Sequence, residues 1–255
     1  MDKVKEIYSE KSVVAHFYNY AVLQNPEKSI LKILEPHLAT MKMLDIAAGA
    51  GRTTHFFAPL VKEYLAMDFS EGMYRACKKR FGHLANAKFL LGDMRTDLAQ
   101  FNTHQLDFIL CSFNGIDHLT IEERIAVLKQ VRQICRPGGY FAFSSHNIQC
   151  IPDYIKIKFR LNILKLAKTL FNHRIFLERN KESLKISTQA NYITLFDNLH
   201  DFGFNLCYIR PAYQINMLHE LGFNNVRVFD FKQGKELSTN EIPENIDYWI
   251  YYLCS

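Results

Sequence analysis

Between Met41 and His146 the sequence alternates five short apolar runs with segments of helical character. The runs are MKMLDIA, EYLAMDF, AKFLLGDM, LDFILCSF and YFAFSSH. The fourth is nearly continuous in apolar residues, as expected of a parallel strand buried on both faces. Helical spacing fills the gaps, for example from Ile121 to Cys135. Strands that alternate with helices form βαβ units, so the pattern predicts an α/β fold with a doubly wound, mostly parallel sheet.

The alternation stops after the fifth run. Pro152 to Arg174 has an apolar face interleaved with Lys and Arg, which predicts a basic amphipathic helix. SLKISTQANYITLF and FNLCYIR then predict a hairpin that turns around Asp201 and Gly203. A helix and two strands follow, and the last strand is expected to run antiparallel. The sequence therefore predicts one seven-stranded domain with core residues 1–147 and 211–255 and an inserted helix and hairpin lid at 148–210.

Composition excludes several classes of protein. Hydrophobic residues make up 48% and charged residues 22% of the 255, as in ordinary globular chains. The six cysteines lack C-x-x-C or zinc spacing, which predicts buried free thiols, a reducing cytoplasm and no metal site. The start MDKVKEIYSE carries charges where a signal peptide is apolar, and no run approaches the roughly 18 apolar residues of a membrane span. We expect a cytoplasmic protein with at most peripheral membrane contact.

A glycine-rich turn directly follows the first predicted strand. It reads Asp45-Ile-Ala-Ala-Gly49-Ala-Gly51-Arg52. Glycine lets the backbone bend sharply and lets a ligand approach without a Cβ in the way. In open α/β sheets ligands bind at the carboxyl ends of the strands, so this turn is a candidate binding loop. A connecting turn without a ligand is the alternative.

Two carboxylates follow the next two predicted strands. Asp68 lies 23 residues after Asp45, where a carboxylate can accept both hydroxyls of a ribose. Enzymes that use nicotinamide and S-adenosylmethionine (SAM) share this feature. Asp93, in Gly-Asp-Met, can accept from the amino group of an adenine. A helix cap for Asp68 and an ordinary turn residue for Asp93 are the alternatives.

In this order the motifs resemble those of the class I SAM-dependent methyltransferases of the small-molecule type. LDIAAGAGR is similar to the first motif of that family, MDFSEGM to the second, GDM to the third and LDFILCSFNGIDHL to the fourth. VRQICRPGGYFAFSSHN resembles the helix and strand that follow, so the resemblance covers Met43 to Asn147. One departure is Ala47, where the family usually has glycine. We expect binding to survive, with strain in the turn.

The resemblance implies SAM as the cofactor and a role for each matching residue. The methionine part of SAM would be surrounded by Asp45, Ala47, Gly49, Gly51 and Arg52, with Arg52 paired to its carboxylate. The ribose would be bound by Asp68, the faces of the adenine by Phe69 and Met73, and its edge by Asp93 and Met94. The sulfonium end would be contacted by Ser112 and Phe113.

Methyl transfer needs alignment above all, and a base only where the acceptor atom carries a proton. His118 and His146 follow the fourth and fifth strands, so both are candidate catalytic residues at the carboxyl edge of the sheet. Structural hydrogen bonding is the alternative for each. Tyr8, Tyr18 and Tyr20 are expected either to close over the cofactor or to pack on the core.

Charge distribution suggests the chemistry of the acceptor. The net charge is +5, but Tyr154 to Lys185 alone carries nine cations against two glutamates, or +7. In similar enzymes an insertion here forms the lid over the acceptor. We therefore expect an acidic or phosphate-bearing acceptor. Such an acceptor could be free in solution or part of a membrane surface.

Two other functions compete with this interpretation. A nicotinamide-dependent oxidoreductase needs G-x-G-x-x-G/A, but Thr54 stands where the last small residue belongs. The other alternative is a module that binds SAM and either associates with RNA or serves as a non-catalytic partner. No RNA-binding motif in the sequence supports it. The fourth motif, Ser112-Phe113-Asn114-Gly115, also lacks the Asn/Asp-Pro-Pro-Tyr signature of base methylation. We expect methylation of an O or N atom of a small-molecule or saccharide acceptor, no nucleic acid partner, and a monomer or homodimer.

Overall fold

The computed structural model describes residues 2–156, 163–197 and 204–255. Its strands are β1 Lys42–Ile46, β2 Glu63–Asp68, β3 Ala87–Leu91, β4 Leu106–Cys111, β5 Cys135–Asn147, β6 Tyr192–Asp197, β7 Phe204–Ile209, β8 Arg227–Asp230 and β9 Trp249–Cys254. Its α-helices are α1 Asp2–Ser9, α2 Lys11–Asn19, α3 Asn25–Leu38, α4 Thr54–Phe57, α5 Glu71–Phe81, α6 Ile121–Ile134, α7 Ile151–Tyr154, α8 Ile163–Arg179, α9 Lys181–Ile186 and α10 Pro211–Glu220. Among these helices none is long and apolar enough to cross a bilayer.

The central sheet has the predicted doubly wound form. Its order is β3-β2-β1-β4-β5-β9-β8, and the first five strands are parallel. β9 pairs antiparallel with both β5 and β8, which confirms the antiparallel last strand. The carboxyl ends of β1, β2 and β4 therefore meet along one edge of the sheet, where an α/β fold binds its ligands.

Burial explains why these runs form strands. β1, β2 and β4 are buried over nearly their whole length, because helices cover both faces of the sheet. On one of these helices, α6, Thr120 and Glu123 form a reciprocal capping box, and Val127 and Val131 lie in the core. Ser70 caps α5 by accepting from the backbone N–H of Met73. Each cap fixes the residue at which its helix begins.

The insertion extends the sheet instead of lying apart from it. β6 and β7 form the predicted hairpin, and β7 pairs parallel with the last two residues of β5. The sheet therefore has nine strands among the described residues, seven in the core and two from the insertion. Phe176 of α8 packs with Leu195 of β6 and Val4 of α1 in one apolar cluster.

One part of the prediction for the insertion is wrong, and another lies outside the described residues. The run SLKIS, predicted as the start of a strand, is instead part of α9 and the turn after it, and β6 begins only at Tyr192. Asn180, just before α9, joins this helix to β6, because its amide group donates to the carbonyl of Phe196 and accepts from its N–H. The turn at Asp201 and Gly203 and the cations Lys158 and Arg160 lie outside the described residues.

Candidate functional site

A first cavity opens at the carboxyl ends of β1, β2 and β4. Its lining includes eleven of the twelve residues that the resemblance assigned to the cofactor, which are Asp45, Ala47, Gly49, Arg52, Asp68, Phe69, Met73, Asp93, Met94, Ser112 and Phe113. Tyr8, Phe17 and His118 also line it. Gly51 is the exception, and it packs against α5 instead. A Cβ on Gly51 would meet the Phe81 ring at 2.5 Å and the Cys77 sulfur at 2.9 Å. Gly51 thus serves the packing of the turn against α5.

The glycine-rich turn is held by the end of β2. The N–H of Ala48 donates to the carbonyl of Met67 at 3.1 Å, and the N–H of Gly49 donates to Asp68 Oδ2 at 2.8 Å. Ala47 adopts φ +55°, a left-handed conformation that costs a non-glycine residue about 1 kcal/mol. A Cβ on Gly115 would lie 2.8 Å from the Cβ of Ala47. Ala47 thus sits in a strained turn, and glycine at 115 leaves room for its methyl group.

Asp68 and Asp45 are buried carboxyl groups with shifted pKa values. Burial raises the pKa of Asp68 to about 6, although the N–H groups of Ser70 and Gly49 donate to it. Burial likewise raises the pKa of Asp45 to about 6, opposed by hydrogen bonds from Thr53 and Tyr64. Both groups change charge near neutral pH, at the point where a ligand would contact them.

Asp93 behaves in the opposite way. Burial alone would raise its pKa, but hydrogen bonds and charge from Arg95 outweigh this and lower the pKa. The guanidinium of Arg95 donates to both oxygens of Asp93, at 2.6 to 3.1 Å. Asp93 is therefore ionised at neutral pH, and Arg95 fixes its orientation at the rim of the cavity.

Arg52, expected at a cofactor carboxylate, has a protein partner. Its two terminal nitrogens each donate 2.6 Å to one oxygen of Glu27, and the Glu27 and Arg52 side chains are only 0% and 8% exposed. Ser112 and Tyr251 also donate to Glu27. Arg52 therefore lines the cavity with both terminal nitrogens bound to Glu27. Sequence reasoning missed Glu27, because the only local signal there is a capping box with Gln24.

A second cavity of about 550 Å³ adjoins the first. It is lined by Tyr8, His16, Phe17, Tyr20, Phe113, Asn114, His118, His146, Phe204, Leu206 and Trp249. Tyr8, Phe17, Phe113 and His118 line both cavities and so form the wall between them. Phe204 and Leu206 belong to β7, so the insertion contributes directly to this second space. Tyr18 lines neither cavity, and its ring lies under the Arg80 guanidinium.

The two candidate histidines have different partners. The Nδ1 of His146 lies 2.7 Å from Asp117 Oδ2, and Asp117 also accepts from Arg124 at 2.7 Å. Burial would raise the pKa of Asp117, but hydrogen bonds from His146 and Ser145 and the charge of Arg124 outweigh this and lower it. The Nε2 of His118 lies 3.3 Å from the hydroxyl of Tyr8. His146 is therefore oriented by a buried carboxylate, and His118 lies in the wall between the cavities.

The chain bends sharply between β4 and this second cavity. Phe113 and Asn114 have φ values of +57° and +61°, two consecutive left-handed residues without a glycine. The N–H of Asn114 donates to Ser144 Oγ at 2.8 Å, which holds the bend against β5. Backbone strain of this kind costs about 1–3 kcal/mol for each residue and is common at ligand sites.

The described cations of the basic segment do not reach either cavity. Lys156, Arg174, Arg179, Lys181 and Lys185 are exposed, and none of these five lines either cavity. Ion pairs with Asp153, Glu178 and Glu182 engage three of them.

Comparison with known proteins agrees with this geometry. Residues 43–139 match a family model described as a methyltransferase domain. Phosphoethanolamine N-methyltransferase 3 of Arabidopsis thaliana is 30% identical over 120 residues, a match that covers 47% of this chain and 24% of that protein. Squalestatin hexaketide synthase of Phoma sp. is 27% identical over 149 residues, which cover 54% of this chain and 6% of that protein. The match thus spans about a quarter or less of the length of these two relatives.

Solved structures share the fold over nearly the whole chain. The 1,6-didemethyltoxoflavin-N1-methyltransferase of Burkholderia thailandensis, solved with 1,6-didemethyltoxoflavin and S-adenosylhomocysteine (SAH) bound, has a TM-score of 0.63. It is 12% identical, and the match covers 99% of this chain and 87% of that chain. The sheet order, the glycine-rich turn and the match over residues 43–139 thus agree: this part of the chain is similar to a methyltransferase domain, and the chain as a whole shares the fold of SAM-dependent methyltransferases.

Proposed function

We propose that this chain transfers the methyl group of SAM to an O or N atom of a small-molecule acceptor by in-line displacement. The observation that carries the proposal is the pair of adjoining cavities, which share a wall of Tyr8, Phe17, Phe113 and His118. Methyl transfer needs two ligands aligned at one point, and positioning supplies most of the rate effect. Two cavities with a common wall provide this alignment without any group that takes part covalently.

The side chains of the first cavity suit an adenosyl group. Once ionised, Asp68 can accept both ribose hydroxyls, and Asp93 offers an acceptor to the adenine amino group. Phe69 and Met73 offer apolar surfaces to the adenine ring. When bound, the cofactor supplies an electrophilic methyl group on a sulfonium. Arg52 donates to the Ser112 hydroxyl, which in turn donates to Glu27, so the pair is proposed to hold Ser112 in the cavity wall.

His146 is the group best placed to accept a proton from the acceptor. Asp117 binds Nδ1 of His146, which leaves Nε2 as the basic nitrogen of the neutral ring. A base is needed only when the accepting O or N atom still carries a proton at transfer. His118 contacts both cavities and so is proposed to contact the acceptor near the transferred methyl group.

Mass spectrometry of the reaction tests the proposal. Purified protein is incubated with SAM carrying a deuterated methyl group and with a panel of small-molecule acceptors. We expect SAH to accumulate in step with a product that gains the labelled methyl group. Binding of NADH in place of SAM favours an oxidoreductase, and SAM binding without turnover on any acceptor favours a non-catalytic module, so either result contradicts the proposal.

A further inference from the structure

The lining of the second cavity is dominated by rings. Nine of its eleven described lining residues carry an aromatic or imidazole ring. Tyr8 stacks on Phe204 with centroids 5.4 Å apart and an interplanar angle of 9°. Phe113 meets Trp249 edge to face at 4.8 Å. Aromatic faces of this kind bind flat rings by stacked or edge-to-face contacts.

Charge is scarce in the same lining. No Asp, Glu, Lys or Arg side chain is among the described residues that line the second cavity. A charged acceptor would lose its hydration there without gaining a partner of opposite charge, which is strongly unfavourable. The described part of the cavity therefore favours a neutral ligand over the acidic one expected from the basic segment.

Two buried polar atoms in this lining have no hydrogen-bond partner among the described residues. Asp117 holds the proton of neutral His146 on Nδ1, so Nε2 is an acceptor and the Asn114 Nδ2, 3.4 Å away, is turned toward it. This leaves Asn114 Oδ1 as a buried acceptor without a partner. Trp249 Nε1 is a buried donor without a partner. A ligand that supplies one donor and one acceptor would satisfy both atoms.

We infer that the methyl acceptor is a neutral, planar aromatic or heteroaromatic ring that carries an N–H or O–H group and a ring nitrogen or carbonyl. The ring packs among the aromatic side chains of the second cavity. Its N–H or O–H donates to Asn114 Oδ1, beside the His146 Nε2 that takes the proton at transfer, and its acceptor atom receives the Trp249 N–H. This inference rests on the proposed function, since it names the substrate class of the same site.

Calorimetry on the whole chain tests the inference, with Trp249 as a built-in reporter. Trp249 is the only tryptophan of the chain, so a change in its fluorescence places a ligand in the second cavity. Protein saturated with SAH is titrated with 7-hydroxyquinoline, with quinoline, with choline and with phosphoethanolamine. We expect 7-hydroxyquinoline to bind most tightly, to change Trp249 fluorescence, and to bind about tenfold more tightly than quinoline, as one added hydrogen bond predicts.

A variant at Asn114 makes the test specific. Asn114→Gly removes the amide at a position whose φ of +61° suits glycine, so the backbone keeps its bend. We expect the variant to lose about tenfold in affinity for 7-hydroxyquinoline and none for quinoline. Asn114→Asp keeps an oxygen acceptor and is expected to retain more of the affinity, which checks the result if the glycine variant folds poorly.

The outcomes separate this inference from the proposed function. Tighter binding of choline or phosphoethanolamine than of either ring overturns the inference and indicates a charged acceptor. Absence of binding by both rings, with the heat of SAH binding intact, also overturns the inference and leaves the proposed function standing. Absence of SAH binding overturns the proposed function, and the inference with it.

Discussion

Replacing Glu27 with glutamine tests how the wall of the first cavity is held. Glu27 and Arg52 are almost fully buried, and two hydrogen bonds of 2.6 Å join them. Glutamine keeps the shape of the side chain but removes the charge, so the buried guanidinium loses the carboxylate to which it is hydrogen-bonded. Breaking a buried pair from one side destabilises a protein by about 3–5 kcal/mol. For a chain of 255 residues this corresponds to a melting temperature lower by roughly 6–9 °C.

The matched control is a surface ion pair that is also joined by two hydrogen bonds. The Nε and one terminal nitrogen of Arg227 donate to the two oxygens of Glu236, but both side chains are more than a third exposed. Glu236→Gln is therefore expected to change stability by less than about 1 kcal/mol. Urea unfolding followed by circular dichroism measures both variants. If Glu27→Gln proves no more destabilising than Glu236→Gln, the pair of Glu27 and Arg52 does not hold the wall, and the reasoning is wrong.

Three further predictions concern the turn and the two cavities. Gly51→Ala is expected to destabilise the protein by more than about 2 kcal/mol, because the added Cβ meets side chains of α5. The Cβ added by Gly49→Ala meets nothing within 4 Å, so this variant should lose only about 1 kcal/mol to backbone strain. Thermal unfolding compares the two variants. SAH affinity should fall about tenfold or more between pH 7 and pH 5, because Asp68 and Asp45, whose pKa values are about 6, become protonated. Asp68→Asn should make this dependence smaller in calorimetry, since only the contribution of Asp45 remains. His146→Gln should lower kcat about 100-fold or more for an acceptor that carries a proton. SAH affinity should stay unchanged, since His146 lines the second cavity and not the first. Equal losses in kcat and in SAH affinity would contradict the role of His146 as a base.

Local patterns explain why the sheet and much of the first cavity were predictable. Strand and helix periods, Gly49 and the carboxylate at 68 are each visible within a few residues of the chain. Parallel strands then bring their carboxyl ends together whatever the details of packing. The residues that follow those strands, such as Asp93 and Phe113, therefore share one cavity in the structure.

Contacts between distant segments account for what the sequence did not show. Arg52 and Glu27 are 25 residues apart, and no periodic pattern links them. The histidine that contacts Asp117 is His146 of β5, although His118 is the neighbour of Asp117 in sequence. Likewise, the attachment of β7 to the end of β5 depends on where the chain returns after the insertion, which local propensity does not encode.

Titration calorimetry with SAH, SAM and NADH tests the central claim most directly. The account predicts saturable binding of SAH and SAM at one site, no binding of NADH, and weaker binding of both sulfur compounds to Asp68→Asn than to the unaltered chain. Heat from NADH alone, or none from SAH and SAM with folded protein, would contradict the assignment of the first cavity to the cofactor.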